Sequence, residues 1–406
     1  MRVLALVGAG ILVLMIVVAV VVLGPRATVA ESATPTATIV APSTPTLTPT
    51  PSVASSSAAP TSPQRDLASL LRPLVASWRP AAPVLLVERS DNPGATLLAV
   101  PIAGGPATPL VALPSVVDLG YELRNDGSAL AAALPITTNT SRIAIWEPAS
   151  GTTRWLTAEE PGVMHITPIW SEDGSLIYYA ASAFNAQINR MMDLGIFSVR
   201  ADGKLKTRVR APEENGAQLR GITPDGHGLW WDRIRAGGAV EVLDLASGQN
   251  HSFDETTTAR VLSWRRAQPR ALVMVGGCCA GRPGGSLALW DDTTGSSKTM
   301  VGPQSTPPAA VISAAWEPNG ARFAAVVLAG LGYLGSVVIY GADGQRMAPV
   351  AGTDDAQEVL WLPPGIAVKR VMPTGGMEIV LIPPSGETLV LYRDARSFFI
   401  RSIAAP

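Results

Sequence analysis

The chain has 406 residues, with 31 basic and 32 acidic side chains and a formal net charge of −1. A general nucleic-acid binder needs a basic surface to displace counterions from phosphates, so this balance argues against nucleic acid as a partner. Only 16% of the residues are charged, whereas the chain contains 38 glycines and 35 prolines. Turn residues between short apolar runs favour an all-β fold over a helical one.

Residues 1–24 are predicted to be a transmembrane anchor or a signal peptide. No charged or strongly polar residue occurs at positions 3–23. A helix of this length is about 31 Å long and matches the hydrocarbon core of a bilayer. A cleaved signal peptide is the alternative, because Thr28-Val29-Ala30 has the small residues of a cleavage site. Either interpretation makes the rest of the chain extracytoplasmic: membrane-anchored through residues 3–23, or secreted after cleavage.

Residues 25–66 are predicted to be a linker rich in Thr, Pro and Ser. A segment with so few large apolar side chains cannot bury enough surface to offset the entropy lost on ordering. Closely spaced prolines extend such a chain. We therefore expect a disordered stalk that holds the following domain away from the membrane; a spacer without any role of its own is the alternative.

One short turn motif recurs from residue 67 onward. Its best copies join an aromatic or apolar residue to an Asp-Gly or Asn-Gly pair, as in Trp170-Ser171-Glu172-Asp173-Gly174. Seven copies occur in the sequence, and they begin about every 47 residues. The first residues of these copies are Trp78, Leu123, Trp170, Ile222, Trp264, Trp316 and Trp361. The tryptophans at this position are expected to pack between neighbouring repeats.

A second sequence pattern recurs at the same position within each repeat. A short apolar run is followed by a few turn residues and a glycine, as from Ile143 to Gly151 and from Val337 to Gly344. Each repeat therefore reads as four antiparallel strands, and one such sheet cannot cover both of its faces. A closed ring of stacked sheets solves this problem. We predict a seven-bladed β-propeller over residues 67–406, closed by a last strand at 398–402; a six-bladed ring with a degenerate unit is the alternative.

The turn motif resembles that of the TolB-like propellers, and the repeat pattern resembles WD-repeat propellers more generally. The matching segments are residues 170–174, 223–226 and 316–320. The resemblance covers about residues 67–406 and implies a β-propeller architecture. It implies little about activity, because propellers of this kind mostly bind proteins, peptides or glycans. Two features depart from the families: TolB-like propellers commonly have six blades, and the recurring Gly-His and Trp-Asp pairs of WD repeats are absent.

The longest insertions fall between the second and third predicted strands, at residues 182–193, 276–285 and 328–335. These loops share one face of a propeller with the connectors between blades, and long loops on one side usually mark the binding side. Four connectors carry paired acids, which are expected on that face. The eight residues are Glu159, Glu160, Glu213, Glu214, Asp254, Glu255, Asp354 and Asp355. They predict a site for a basic protein or for Ca²⁺; ordinary solvated charge is the alternative.

The two cysteines, Cys278 and Cys279, are adjacent in one predicted loop. Outside the cytoplasm they would form a vicinal disulfide, and two free thiols are the alternative. No disulfide framework is therefore expected.

Motifs for catalysis are scarce in the sequence. No Gly-x-Ser-x-Gly elbow occurs, and His165, His227 and His251 do not show the spacing of a zinc site. The leading hypothesis is therefore a non-catalytic extracytoplasmic binding or scaffold propeller that recognises a protein or a cell-envelope polymer on its long-loop face. The alternative is a carbohydrate-active enzyme that uses carboxylates on that face. No cofactor is expected apart from the Ca²⁺ alternative.

Overall fold

The computed structural model describes residues 66–114, 119–213, 217–233, 239–253, 258–266, 268–276, 284–302, 309–328 and 334–405. Helix α1 (Leu67–Leu70) begins after Asp66, whose carboxylate accepts a hydrogen bond from the backbone N–H of Ala68. Such a cap satisfies one of the free amides at a helix N-terminus. Nearly all other regular structure in the described residues is β-strand.

Antiparallel meanders form five sheets of four or five strands. The first sheet contains β1 (Arg72–Pro73), β2 (Val84–Ser90), β3 (Ala95–Pro101), β4 (Thr108–Leu113) and the C-terminal β29 (Phe398–Ala404). The second contains β5 (Tyr121–Leu123), β6 (Leu130–Thr137), β7 (Thr140–Glu147) and β8 (Thr152–Trp155). The third contains β9 (Val163–Trp170), β10 (Leu176–Asn185), β11 (Arg190–Arg200) and β12 (Thr207–Arg210).

The fourth sheet contains β13 (Ala217–Ile222), β14 (Gly228–Arg233), β15 (Val240–Asp244) and β16 (Asn250–Phe253). The fifth contains β17 (Ala259–Trp264), β18 (Arg270–Val275), β19 (Ser286–Asp291) and β20 (Ser297–Val301). A sixth, eight-stranded sheet contains β21 (Ala310–Trp316), β22 (Arg322–Leu328), β23 (Gly335–Gly341), β24 (Arg346–Pro349), β25 (Ala356–Leu362), β26 (Gly365–Val371), β27 (Met377–Ile382) and β28 (Leu389–Asp394).

The prediction of seven separate four-stranded blades is wrong. The described strands form a β-propeller with five blade-sized sheets and one sheet of double size, so the ring of six equal units is not observed either. The double sheet arises because β23 and β25 pair through Gly335 and Ala356. On its other side, Gly335 lies close to β22: a Cβ atom on it would lie 2.3 Å from the carbonyl oxygen of Val327, so glycine permits the close approach of β22 and β23 at this end. The spacing of the motif shows how many turns recur in the sequence. It does not show that two neighbouring repeats are joined by hydrogen bonds into one sheet.

Buried apolar side chains fill the space between neighbouring sheets. Leu97 in the first sheet and Trp146 in the second belong to one cluster, and neither is exposed to solvent. Another cluster joins the first sheet to the last strands through Leu98 and Ile379. The two halves of the double sheet face each other in a cluster that includes Val326. Each sheet therefore covers the apolar face of its neighbour, as the repeat pattern predicts.

The two ends of the domain meet in the first sheet. Strand β29 pairs with β2, with Val84 opposite Ala404 and Arg89 opposite Phe398. The prediction that residues 398–402 supply a closing strand is thus confirmed. In the described part of the chain, no helix is long and apolar enough to cross a bilayer. The predicted anchor at residues 3–23 and the linker up to residue 65 lie outside the described residues.

Candidate functional site

The meander topology gives the domain two distinct faces. Connections from the first to the second strand of a sheet, such as that between β9 and β10, lie on one face, which we call the turn side. Connections from the second to the third strand, together with the connectors between sheets, lie on the opposite face, which we call the loop side. Of the eight predicted acidic site residues, Glu214, Asp254 and Glu255 lie outside the described residues, as do Cys278 and Cys279.

The first acidic connector on the loop side contains Glu159 and Glu160. Glu159 is exposed. Glu160 accepts a hydrogen bond from the Lys206 ammonium at 2.7 Å, and its Oε1 lies 3.5 Å from Nε2 of buried His165. The bond from Lys206 holds the pKa of Glu160 below its ordinary value. This carboxylate is therefore already engaged within the domain.

The second acidic connector is part of a buried ion-pair network. Arg210 donates a hydrogen bond to Asp193 at 2.6 Å, and these side chains are only 5% and 2% exposed. Glu213 lies 3.0 Å from the same guanidinium, and its backbone N–H donates to Asp193 at 2.9 Å. Opposite charges in contact reduce the cost of burying each of them. Glu213 therefore helps to neutralise Arg210.

Asp354 and Asp355, in the last acidic connector, are both exposed, and the backbone of Asp355 has a φ of 64°. The carbonyl of Asp355 accepts a hydrogen bond from the Val371 amide at 3.1 Å, which ties the connector to β26. Within the described ranges, no group of three or more His, Cys, Asp or Glu side chains has an arrangement that would hold a metal ion. Binding of Ca²⁺ or of a basic protein by these acids stays a prediction.

Two adjoining cavities open on the turn side. One has a volume of about 530 Å³ and the other of about 600 Å³, and Trp264 and Arg266 line both. The first cavity is walled mainly by apolar groups, including exposed prolines at the tips of the turns. We call this region the aromatic mouth and define it by Trp264, Arg266, Trp316, Leu360, Trp361 and Ile403.

The tryptophans that begin the repeats have two different environments. Trp170 and Trp316 are each 5% exposed, which confirms the predicted packing role for these two. Trp264 and Trp361 are only partly buried and face the apolar cavity. The guanidinium of Arg322 lies 5.2 Å from the ring centre of Trp361, so part of the mouth is stabilised by a cation–π contact.

Arg266 is the distinctive charge of the aromatic mouth. Its side chain is exposed, and it has no hydrogen bond or ion pair with any described residue. Glu317 also lines this cavity, but its carboxylate already accepts a hydrogen bond from Arg322 at 2.6 Å. The mouth therefore combines apolar walls with one unneutralised guanidinium.

The second turn-side cavity is more polar and contains Glu122. The carboxylate accepts a hydrogen bond from the backbone N–H of Trp170, which by itself favours the charged form. Burial outweighs that bond and raises the pKa of Glu122 to about 7. Arg220, on the same wall, donates to Asp232 at 2.7 Å.

Sequence reasoning placed the candidate site on the loop side and missed the aromatic mouth. The six residues that define the mouth lie in, or directly after, strands of three sheets, so no local motif contains them. One signal was present: Trp264, Trp316 and Trp361 begin the same turn in successive repeats, which puts all three at one end of the domain.

Comparison with known proteins identifies the fold. No family model matches the chain, and no curated protein matches it. Among solved structures, a puromycin hydrolase matches with a TM-score of 0.55 at 16% identity, over 80% of this chain and 55% of that chain. A prolyl endopeptidase matches with a TM-score of 0.56 at 16% identity, over 76% of this chain and 47% of that chain.

TolB from Acinetobacter baumannii matches with a TM-score of 0.44 at 15% identity, over 67% of this chain and 64% of that chain. The chain spans about half the length of the prolyl endopeptidase and puromycin hydrolase chains that it resembles. Identities this low show a shared fold and assign no family. The β-propeller architecture that the TolB-like and WD-repeat resemblance implies is observed in the described strands, and neither family is assigned.

Proposed function

We propose that this protein is a non-catalytic binding propeller that takes an extended peptide segment, with apolar side chains beside a carboxylate, into the aromatic mouth. The observation that carries the proposal is Arg266, an exposed guanidinium without a partner among the described residues, set between two adjoining cavities. Guanidinium–carboxylate pairs are short, charge-assisted and frequently bidentate, so a carboxylate is the natural counter-group.

The walls of the mouth favour an extended apolar segment. Partly buried Trp264, Trp361, Leu360 and Ile403 offer rings and branched side chains that lose little conformational entropy on binding. Aromatic grooves are also the usual docking surface for extended, proline-containing peptides. A volume of about 530 Å³ lies within the common range of ligand sites.

Binding is favoured over the carbohydrate-active alternative by the state of two connector acids. Glu160 is engaged by Lys206, and Glu213 by Arg210. A catalytic carboxylate must be free to hold or transfer a proton at the scissile bond, and these ion pairs oppose that role. The proposed binding takes place outside the cytoplasm, in keeping with the anchor or signal peptide predicted at residues 3–23.

Selection from a library of displayed peptides, followed by calorimetry with the full-length chain, tests the proposal. We expect binders that contain a carboxylate next to apolar residues, and we expect Arg266→Ala to weaken them by about tenfold or more, since a hydrogen bond to a charged group contributes about 1.5–3 kcal/mol. Arg346→Ala is the matched control, because Arg346 is an exposed arginine on the outer strand β24.

Amidation of the C-terminus of each selected peptide distinguishes a terminal carboxylate from an Asp or Glu side chain as the group bound by Arg266. A library without binders, or binders that have the same affinity for Arg266→Ala as for the unchanged protein, would refute the proposal.

A further inference from the structure

A third cavity lies on the loop side and is lined by residues of the first four sheets. Its volume is about 300 Å³. Glycine and alanine form much of its wall, including Gly94, Ala95, Gly120 and Ala132, and such small residues leave room for a ligand. We call it the loop-side cavity; its polar and aromatic lining consists of Glu88, Ser90, Asp91, Tyr121, Gln218, Arg220, Phe399 and Arg401.

Two charged side chains in the cavity wall, Glu88 and Arg401, neutralise each other. Glu88 is 6% exposed, and its Oε2 accepts hydrogen bonds from the hydroxyl of Tyr121 and from Nε of Arg401 at 2.7 Å. Arg401 reaches the same oxygen through Nη2 at 2.6 Å. The carboxylate and the guanidinium therefore cancel each other, while Oε1 of Glu88 has no hydrogen bond within the described residues.

The other charges of the wall are also paired. Asp91 lies 2.7 Å from Arg396 and also accepts a hydrogen bond from Arg89 at 3.1 Å. Arg220 donates to Asp232 through Nε, and its terminal nitrogens make no hydrogen bond with described residues. A wall in which each charge has a partner gains little from an ionic ligand. It still offers both donors and acceptors to a neutral one.

Uncommitted hydrogen-bonding groups lie between these pairs. The side-chain amide of Gln218 and the hydroxyl of Ser90 line the cavity and make no hydrogen bond with any described residue. An amide donates and accepts at neighbouring atoms, and a hydroxyl does both at one atom. Groups of this kind suit a ligand that also presents donors and acceptors side by side, as the hydroxyl groups of a sugar do.

Phe399 adds an aromatic surface to the cavity. It lies in β29 and is 43% exposed, although most other phenylalanines of the described chain are buried. An exposed ring on a cavity wall loses water when an apolar surface covers it. The C–H face of a pyranose ring is such a surface, while its edge carries the hydroxyl groups.

The backbone beside the cavity is unusually constrained. Gly120 has a φ of 79° and Thr167 a φ of 49°, and a Cβ atom on Gly120 would lie 3.0 Å from the Cα of Thr167. Left-handed conformations are rare for β-branched residues, and such strain tends to be kept at ligand sites. Both residues line the cavity.

We infer that the loop-side cavity binds a neutral carbohydrate of one or two rings. A volume of about 300 Å³ is at the lower end of the range for ligand pockets, about 300–1,000 Å³, and limits the ligand to that size. Sugar hydroxyls donate to Glu88 and Asp91 and accept from Gln218 and Arg220. The sugar ring packs against the exposed part of Phe399, whose ring centre also lies 4.9 Å from the Lys369 ammonium and 5.2 Å from the Arg401 guanidinium. This site is separate from the aromatic mouth, so each proposal stands or fails without the other.

Thermal-shift and calorimetric titrations of the full-length chain test the inference. The probes are glucose, galactose, N-acetylglucosamine and their disaccharides, with glucuronate and citrate as anionic comparisons. We expect at least one neutral sugar to bind, and we expect Phe399→Ala and Gln218→Ala each to weaken that sugar by about tenfold, which corresponds to about 1.4 kcal/mol.

Two control variants match these changes away from the cavity. Val390→Ala removes an apolar side chain that is 37% exposed on the outer strand β28, and Gln187→Ala removes an exposed amide. Both should bind the sugar as the unchanged protein does. If Phe399→Ala does not fold, Gln218→Ala decides the question, because its side chain has no partner to lose. Failure of every neutral sugar to bind, preference for the anions, or full affinity in Gln218→Ala would overturn the inference.

Discussion

Replacing Glu122 with glutamine should change how the stability of the domain depends on pH. The ordinary pKa of a glutamate is 4.5, and burial raises that of Glu122 to about 7. The folded chain therefore holds this proton more tightly than the unfolded chain does. Glutamine has nearly the same shape, carries no charge, and keeps an oxygen that accepts the hydrogen bond from the Trp170 amide.

The size of the effect follows from the shift in pKa. Each unit is equivalent to about 1.4 kcal/mol, so a rise from 4.5 to about 7 corresponds to about 3 kcal/mol. Since the folded state binds more protons, the free energy of unfolding falls as the pH rises. The contribution of Glu122 is complete below pH 4.5, is lost between pH 4.5 and about 7, and stays lost above that.

Chemical denaturation at a series of pH values measures this effect. Relative to the value at pH 4, the difference in unfolding free energy between Glu122→Gln and the unchanged protein should grow by about 3 kcal/mol in favour of the variant by pH 8. Other titrating groups cancel in this comparison, because both proteins contain them. A difference that is constant from pH 4 to 8 would show that Glu122 ionises as in water, and the reasoning from burial would be refuted.

Three further changes test other parts of the structure. Asp193→Ala leaves buried Arg210 without its closest partner and should lower the unfolding free energy by about 3–5 kcal/mol in urea titrations; a loss below 1 kcal/mol would contradict the buried pair. Gly195→Ala should destabilise far more than Gly248→Ala, because the added Cβ would lie 2.2 Å from a carbonyl oxygen at the first position and near nothing at the second; equal melting temperatures would contradict this. Burial lowers the pKa of His165 from 6.5 to about 4, so stability should fall as the pH drops from 6.5 to 4, and His165→Gln should remove that part of the slope in acid titrations; an unchanged slope would argue against a buried neutral imidazole.

The turns of the repeat were predictable because their chemistry is local. Asp173 accepts a hydrogen bond from the backbone N–H of Ser175 at 2.9 Å, and Asn319 accepts one from Ala321 at 2.8 Å. The following residue of each motif, such as Gly174 with a φ of 67°, adopts the left-handed conformation that glycine tolerates. Side chain, turn and glycine lie within a few residues of one another, so a single sequence contains the whole signal.

The acidic connectors show where such local reasoning fails. Glu160 is held by Lys206 from the turn between β11 and β12, and Glu213 by Arg210 inside a nearly buried network. A pair of acids in the sequence looks the same whether its carboxylates face solvent or an internal cation. The partner is chosen by packing between strands, and a count of charges does not contain that information.

The amino-acid sequence alone determined that this chain builds antiparallel four-strand meanders with tight glycine turns, and that its last strand returns to the first sheet. Those features follow from alternating apolar side chains and from turn residues a few positions apart, which act over short distances. Tertiary structure decided the joining of two meanders through Gly335 and Ala356, the meeting of distant side chains around Arg266, and the cavity beside Phe399. These depend on contacts between residues far apart in the chain, and their geometry is fixed only when the sheets pack together.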